Sequence, residues 1–226
     1  MNQTVTALVP MRNDSERVPG KNYRSFAGRP LYHHVILTLL ACPQVDQVVI
    51  DTDSPFIMRD AAENFPAVRL IERPSHLRSG DTPMNEVLLH DVAQLQSSWY
   101  LQTHCTNPLL KAETVGAALG RFFGSLPVYD SLFSVTGVRS RFWDAEGRPI
   151  NHDPMRLMRT QDLAPVFEEN SNLYLFSGEN LEKRRNRIGQ NPLMFEIDRL
   201  EAVDIDEELD FLFAEFLYRE RAKVVR

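Results

Sequence analysis

Residues 9–23 read VPMRNDSERVPGKNY, and they place Arg12, Arg17 and Lys21 in one short stretch beside Ser15 and Asn22. Backbone N–H groups outside regular structure, backed by several cations, make an anion site, and cations spaced in this way suit a polyphosphate. Lys21 offers a compact point charge, whereas Arg12 and Arg17 can fork across phosphate oxygens. Gly20 can take a positive φ, which Asn13 and Asp14 tolerate better than other non-glycine residues. Pro19 stiffens the approach. The rival reading is a solvated loop in which Asp14 and Glu16 neutralise those cations.

Elements on either side must position such a loop. It follows the apolar run TVTALV and precedes PLYHHVILTLLA, whose apolar residues recur at helical spacing. The runs VTALVP, QVDQVVIDT, AVRLIE, SSWYLQT and DSLFSVT are rich in β-branched or aromatic residues and predict strands. The helical patterns LYHHVILTLLAC, SPFIMRDAAENF, PMNEVLLHDVAQLQ and AETVGAALGRFFGSL fall between them. Strand alternating with helix predicts an α/β fold, a mainly parallel sheet with helices on both faces. Ligands bind such sheets at the carboxyl ends of the strands, where the first loop lies.

Beyond residue 138 the pattern changes. Residues 139–170 are polar, with turn signals and no sustained period, and read as an inserted arm within a single domain spanning 1–226. Exposed Phe142, Trp143, Met155 and Met158 would suit a second copy of the chain, as a homodimer, or a substrate lid; a β-meander along one sheet edge fits equally. NLYLFS, PLMFEI and EAVDI then predict strands, and DEELDFLFAEFLYRERAK a closing amphipathic helix. The cluster RRNR at 184–187 reads as a solvated helix end.

Composition excludes several classes. The 226 residues carry a formal charge of −6, which argues against a nucleic-acid or anionic-membrane surface. Cys42 and Cys105 have no metal-type spacing, and a reducing cytoplasm is expected. No apolar run approaches a membrane span. No signal peptide is expected from MNQTVTALVP. Cys105 lacks a partner base and is not expected to act as a nucleophile.

The motifs resemble those of the sugar-acid cytidylyltransferases. That family opens with P-A-R-x-x-S-K-x-x-x-x-K-N in its acylneuraminate branch and P-A-R-x-x-S-x-R-x-P-G-K in its Kdo branch. Here P-M-R-N-D-S-E-R-V-P-G-K-N mixes the two, with Glu16 at the family's Lys. DQVVIDTDSPFI resembles V-V-V-S-T-D-S-x-x-I, with Asp51 in place of Ser. ERPSHLRSGDTPMNEVL resembles R-P-x-x-L-A-x-D. YLQTHCTNPLL resembles L-L-Q-P-T-S-P-L with extra residues, and AVDIDEELDFLFAE resembles S-I-D-I-D-x-x-x-D-x-x-x-A-E. These motifs keep the family's order over almost the whole chain.

The resemblance implies a Rossmann-like sheet of the nucleotide-diphospho-sugar transferase kind with a dimerisation arm. It also implies a reaction of CTP with an acidic sugar that gives a CMP-sugar and pyrophosphate. It implies that Arg12, Ser15, Arg17 and Lys21 hold the triphosphate, with Lys21, Arg12 and Asp204 catalytic. Asn22, Arg73, Asp81 and Gln102 would bind the nucleotide, Gln102 also meeting the sugar. Asn170, like the Asn of R-P-N-G-A-x-Y, would reach the sugar, and Arg159 suits its carboxylate. Asp204 and Asp206 would hold Mg²⁺. Residues two apart on a strand face one side, about 6.6 Å along the chain, so both carboxylates can converge if 202–206 is a strand. Asp206 as a helix N-cap remains the alternative, and Asp210 reads as solvated. Asp51-Thr52-Asp53 also has the Asp-x-Asp spacing of GT-A glycosyltransferases; it reads here as a helix cap and loop brace. A non-catalytic nucleotide-binding relative is the third reading.

Overall fold

The computed structural model describes residues 3–15 and 17–224; Glu16, one of the loop's two acids, lies outside them. The chain begins with strand β1 (Val5–Met11), then a small hairpin of β2 (Ser25–Phe26) and β3 (Arg29–Pro30). Helix α1 (Leu31–Leu40), β4 (Gln47–Thr52), α2 (Pro55–Asn64) and β5 (Arg69–Glu72) follow. Next come α3 (Met84–Val92), β6 (Trp99–Gln102), α4 (Ala112–Phe123) and β7 (Ser131–Val138). The last elements are β8 (Val166–Phe176), α5 (Gly178–Arg184), β9 (Pro192–Glu196) and α6 (Glu208–Val224).

Seven strands form one sheet in the order β5-β4-β1-β6-β8-β7-β9. Only β8 runs against the others. β1 is central and wholly buried. Its alternate residues Val5, Ala7 and Val9 face a core closed by Ile36, Ile57 and Leu119 of α1, α2 and α4. Leu8 faces the opposite core, closed by Leu88 and Leu181 of α3 and α5. The period-two alternation of a strand therefore serves both layers. Helix α2 starts where Ser54 Oγ accepts from the Ile57 N–H at 3.4 Å, with Pro55 in the first turn. No helix among the described residues is long and apolar enough to cross a membrane.

EAVDI is not a strand. Residues 203–206 have no regular structure, and the Ile205 N–H donates to the Thr106 carbonyl at 3.0 Å. Ile205 is buried with Phe26, Leu31 and Phe211 in a third cluster, under α6 and the β2–β3 hairpin. With Ile205 buried and its neighbours Asp204 and Asp206 on the cleft, the segment alternates apolar and polar residues as a strand does, which is why the pattern misleads.

The inserted segment is shorter than its polar sequence suggests. Val166–Glu169 pair with Val135–Val138, so β8 claims them as part of a long hairpin with β7. Between the strands lie an isolated Trp143–Pro149 bridge and one 3-10 turn, Thr160–Asp162. Trp143, Met155 and Leu157 are exposed, whereas Phe142 and Met158 are half-buried.

Candidate active site

A cleft of about 620 Å³ opens at the carboxyl ends of β1 and β6. The first loop forms one wall. Val18 is buried and anchors it. Gly20, at φ 65°, turns the chain so that the Arg24 N–H reaches its carbonyl at 2.9 Å. The Asn13 N–H donates to Asp53 Oδ1 at 2.7 Å, which bears out Asp53 as a loop brace. Asn22 Nδ2 donates to the Arg12 carbonyl at 2.7 Å, and its Oδ1 faces Cys105 Sγ at 3.2 Å. Asn22 is therefore both a lining residue and a tie between the first loop and the loop after β6.

Arg12, Ser15, Arg17, Lys21 and Asn22 all line this cleft, and so do Arg73, Asp81, Asp204 and Asp206. The loss of the expected strand does not scatter the last pair. Buried Ile205 points into the third cluster, and its two neighbours line the cleft. Lys21 Nζ donates to the Ile205 carbonyl at 2.5 Å, and Arg17 Nη2 to Asp206 Oδ1 at 2.6 Å. The two sequence clusters thus meet through direct contacts. Asp206 does not cap the last helix. Asp210, read from sequence as solvated, accepts the Asp206 and Glu207 N–H groups at 3.0 and 2.7 Å.

Burial raises the Asp204 carboxyl above the usual range, a hydrogen bond from Thr106 opposes the shift, and the Asp206 charge adds to it. Its Oδ1 is buried without a partner. An orphaned hard oxygen beside a second carboxylate suits a divalent cation. Asp51 and Asp53 do not form such a pair: Asp51 Oδ1 accepts from Arg73 Nε at 2.5 Å, while Asp53 braces the first loop.

Three expected site residues lie elsewhere. Gln102 is fully buried behind the lining residue His104. Its Oε1 accepts from Arg187 Nη1 at 2.5 Å, and its Nε2 lies 2.9 Å from His104 Nε2. Arg159 is exposed on the inserted segment and pairs with Asp162 at 2.8 Å. The Asn170 amide is spent across the β7–β8 hairpin, accepting from Ser134 Oγ at 2.6 Å and donating to Thr136 Oγ1 at 2.8 Å. Its neighbour Ser171 lines the cleft instead, at φ 57°.

Sequence reasoning missed Arg187. Arg184 to Asn186 are exposed as expected of a helix end, but Arg187 turns inward, its guanidinium 3.4 Å from the centre of the Tyr174 ring. Only the isolated cation in RRNR could have signalled it. Burial, Arg187 and then Lys21 hold His104 down to about 4, so its ring is a neutral hydrogen-bonding group. Burial pushes the Cys105 thiol up to about 12, which leaves it protonated.

The cleft wall also holds Leu77, Met84 and Val87, an apolar patch suited to a base or ribose face. Among the described residues, four lining cations, Arg12, Arg17, Lys21 and Arg73, stand against four carboxylates, Asp14, Asp81, Asp204 and Asp206. Such a balance suits a polyanion that arrives with a metal ion better than an anion alone.

The family model described as Cytidylyltransferase matches residues 6–224. CMP-N,N'-diacetyllegionaminic acid synthase of Legionella pneumophila is 26% identical over 94% of this chain and 95% of its own. Pseudaminic acid cytidylyltransferase of Campylobacter jejuni is 24% identical over the same shares, 94% and 95%. Among solved structures, CMP:2-keto-3-deoxy-manno-octonic acid synthetase complexed with CTP superposes with a TM-score of 0.71 at 15% identity. That alignment covers 97% of this chain and 100% of the other, and it shows the shared fold.

Proposed function

The chain belongs to the cytidylyltransferase family, and on that premise we propose that it transfers CMP from CTP to a hydroxyl of a small acidic sugar of the ulosonic or nonulosonic class, releasing pyrophosphate. The observation that carries this reading is the convergence of Arg12, Ser15, Arg17 and Lys21 with Asp204 and Asp206 in one cleft. Relatives matched over nearly their whole length are named for legionaminic and pseudaminic acids.

The reaction is an in-line displacement. An acceptor hydroxyl oxygen bonds to the α-phosphorus, the bond from that phosphorus to the bridging oxygen breaks, and the proton leaves to solvent. Negative charge builds on the leaving pyrophosphate, and preorganised cations lower the barrier by meeting it there. Arg12 and Arg17 would fork across the β- and γ-phosphates, with Ser15 and the loop N–H groups. Lys21 would place a point charge on the phosphoryl oxygens. Arg73, which also lines the cleft, would hold the nucleotide. His104 and Ser171 would meet the acceptor, with Gln102 and Arg187 fixing the His104 ring from behind. Mg²⁺, bound by Asp204 and Asp206, would neutralise phosphate charge. Burial of the Asp204 oxygen without a partner supports that assignment.

Exposed Trp143, Met155 and Leu157 support a homodimer formed through residues 139–165. We place the reaction in the cytoplasm, with no nucleic-acid or membrane partner. The test is pyrophosphate release from CTP and Mg²⁺ against a panel of sugar acids, with ATP, GTP and UTP as controls. Release that requires CTP and one acid class, and is lost in Lys21→Ala and Asp204→Ala, is expected. CTP binding without release for every acid would favour the non-catalytic reading, and no CTP binding would overturn the proposal.

A further inference from the structure

A second charged cluster backs the cleft wall, and of its members only Arg73 lines the cleft. Asp51 sits near the end of β4, Arg73 just after β5, and Asp91 in the last turn of α3. Their relative exposures are 1%, 2% and 0%. Arg73 Nε donates to Asp51 Oδ1 at 2.5 Å, and the same oxygen contacts Arg73 Nη2. His90 Nδ1 lies 3.2 Å from Asp91 Oδ1. Each carboxyl therefore uses its Oδ1, and each keeps an Oδ2 that is buried with no partner among ordinary donors. One carboxyl oxygen of each lies within 4.8 Å of the other's.

Two neighbouring carboxyls that each keep an orphaned acceptor can satisfy both when one proton is shared between them. The charges agree. With both carboxyls ionised, the guanidinium leaves one buried negative charge uncompensated; with one proton shared, the trio is neutral. We propose that Asp51 and Asp91 share a single proton, and that this acid pair positions Arg73 against the nucleotide cleft. Asp91 is the member that carries the proton, because Asp51 is the one held by Arg73. The groups acting on the pair are Arg73 after β5 and His90 beside it on α3. Asp51, His90 and Asp91 also have the composition of a metal site, with one ligand atom of each within 4.8 Å of the others. The guanidinium already holds the place a metal would take on Asp51.

Asp91 and Asp51 are positioning residues, and the role of Arg73 rests on the nucleotide reading above. The proton does not. Burial and then Asp51 push the Asp91 carboxyl up to about 9, against about 4 for a free carboxyl. A raised carboxyl contributes stability that is fully present below the unfolded value and lost as pH rises through the folded one. The apo protein should therefore lose melting temperature between about pH 4 and pH 9 through this group.

The experiment compares wild type, Asp91→Asn and Asp91→Leu. The amide keeps a hydrogen donor in place of the shared proton, and leucine removes it. In apo melting scans Asp91→Asn should lack the component that falls toward pH 9, melting near wild type at about pH 4 and above it at neutral pH. In CTP titrations at neutral pH, Asp91→Asn should bind within about threefold of wild type and Asp91→Leu at least tenfold more weakly. An Asp91→Asn melting profile parallel to wild type would overturn the shared proton. Equal CTP affinity of folded Asp91→Leu and wild type would overturn the positioning role. Stoichiometric uptake of Zn²⁺ or Mn²⁺ by the apo protein, lost in Asp91→Asn, would replace the proton by a metal. If no nucleotide binds to any variant, the melting scans still decide the proton.

Discussion

Lys21→Met keeps the apolar stem of the side chain and deletes its charge. Two quantities change. The first is the tie from Lys21 Nζ to the Ile205 carbonyl at 2.5 Å, which joins the first loop to the segment bearing Asp204 and Asp206. A hydrogen bond to a charged group is worth about 1.5–3 kcal/mol. At about 2–4 °C per kcal/mol for a chain of this size, the melting temperature should fall by about 3–12 °C. The second is attraction to the triphosphate. A unit charge about 4 Å from a phosphate oxygen contributes about 4 kcal/mol at an effective dielectric near 20. That is close to a factor of 10³ as an upper bound, since the ammonium loses part of its hydration on binding. Calorimetric titration with CTP and Mg²⁺ should show affinity weakened by 10- to 1,000-fold, and a charge-preserving Lys21→Arg should recover part of it. A folded Lys21→Met that binds CTP within a few-fold of wild type would refute the assignment of this loop to the phosphates.

Other outcomes follow from neighbouring contacts. Arg17 and Asp206 are both at least half exposed, so their ion pair contributes about 0–1 kcal/mol to stability. Asp206→Asn should leave the melting temperature within about 4 °C, tighten CTP binding measured without metal by freeing Arg17, and weaken the metal-dependent reaction; opposite signs in the two assays are the check. Ser171→Gly removes a left-handed residue that costs about 1–2 kcal/mol and adds about 0.5–1 kcal/mol of chain entropy. The net gain of about 0–1.5 kcal/mol should raise its melting temperature by up to about 6 °C in a differential scan, and a fall would refute it. Arg187→Met removes the like charge facing His104, so an NMR titration should find that ring titrating above about 4 and closer to the ordinary histidine value. An unchanged titration would leave the shift to burial and Lys21.

Patterns set by the local chain were legible in sequence; patterns set by distant partners were not. The strands β1, β4 and β6 and the loop after β1 follow from β-branched runs, glycine and charge spacing. The Asp204–Asp206 alternation was legible as well, although its cause was misassigned. Burial of Ile205 under α6, rather than strand pairing, aims the two carboxylates. Arg159 and Asn170 had the right chemistry for an acceptor, but Asp162, Ser134 and Thr136 had first claim on their hydrogen bonds. Nothing local announces that Asp91 meets Asp51 forty residues earlier. One signal did exist: Asp51 interrupts the apolar strand QVVIDT, and a carboxylate in a buried strand requires a partner. Arg187 offered no such signal, because it follows its solvated neighbours in a polar run outside any strand.

The cleft's charge arrangement follows from what a loop must do before substrate arrives. Arg12, Arg17, Lys21 and Arg73 crowded together without acids would repel one another and favour an open loop. Here Asp206 holds Arg17, the Ile205 carbonyl holds Lys21 and Asp51 holds Arg73. The three ties differ in depth. The Arg17–Asp206 pair is exposed and exchanges at little cost when phosphate takes the guanidinium and a metal ion takes the carboxylate. The Arg73–Asp51 pair is buried, and breaking it would strand a charge, so it holds its geometry throughout. One part of the cleft is therefore built to trade partners and another to stay fixed. A substrate whose phosphates must be gripped while its base is held still calls for that division.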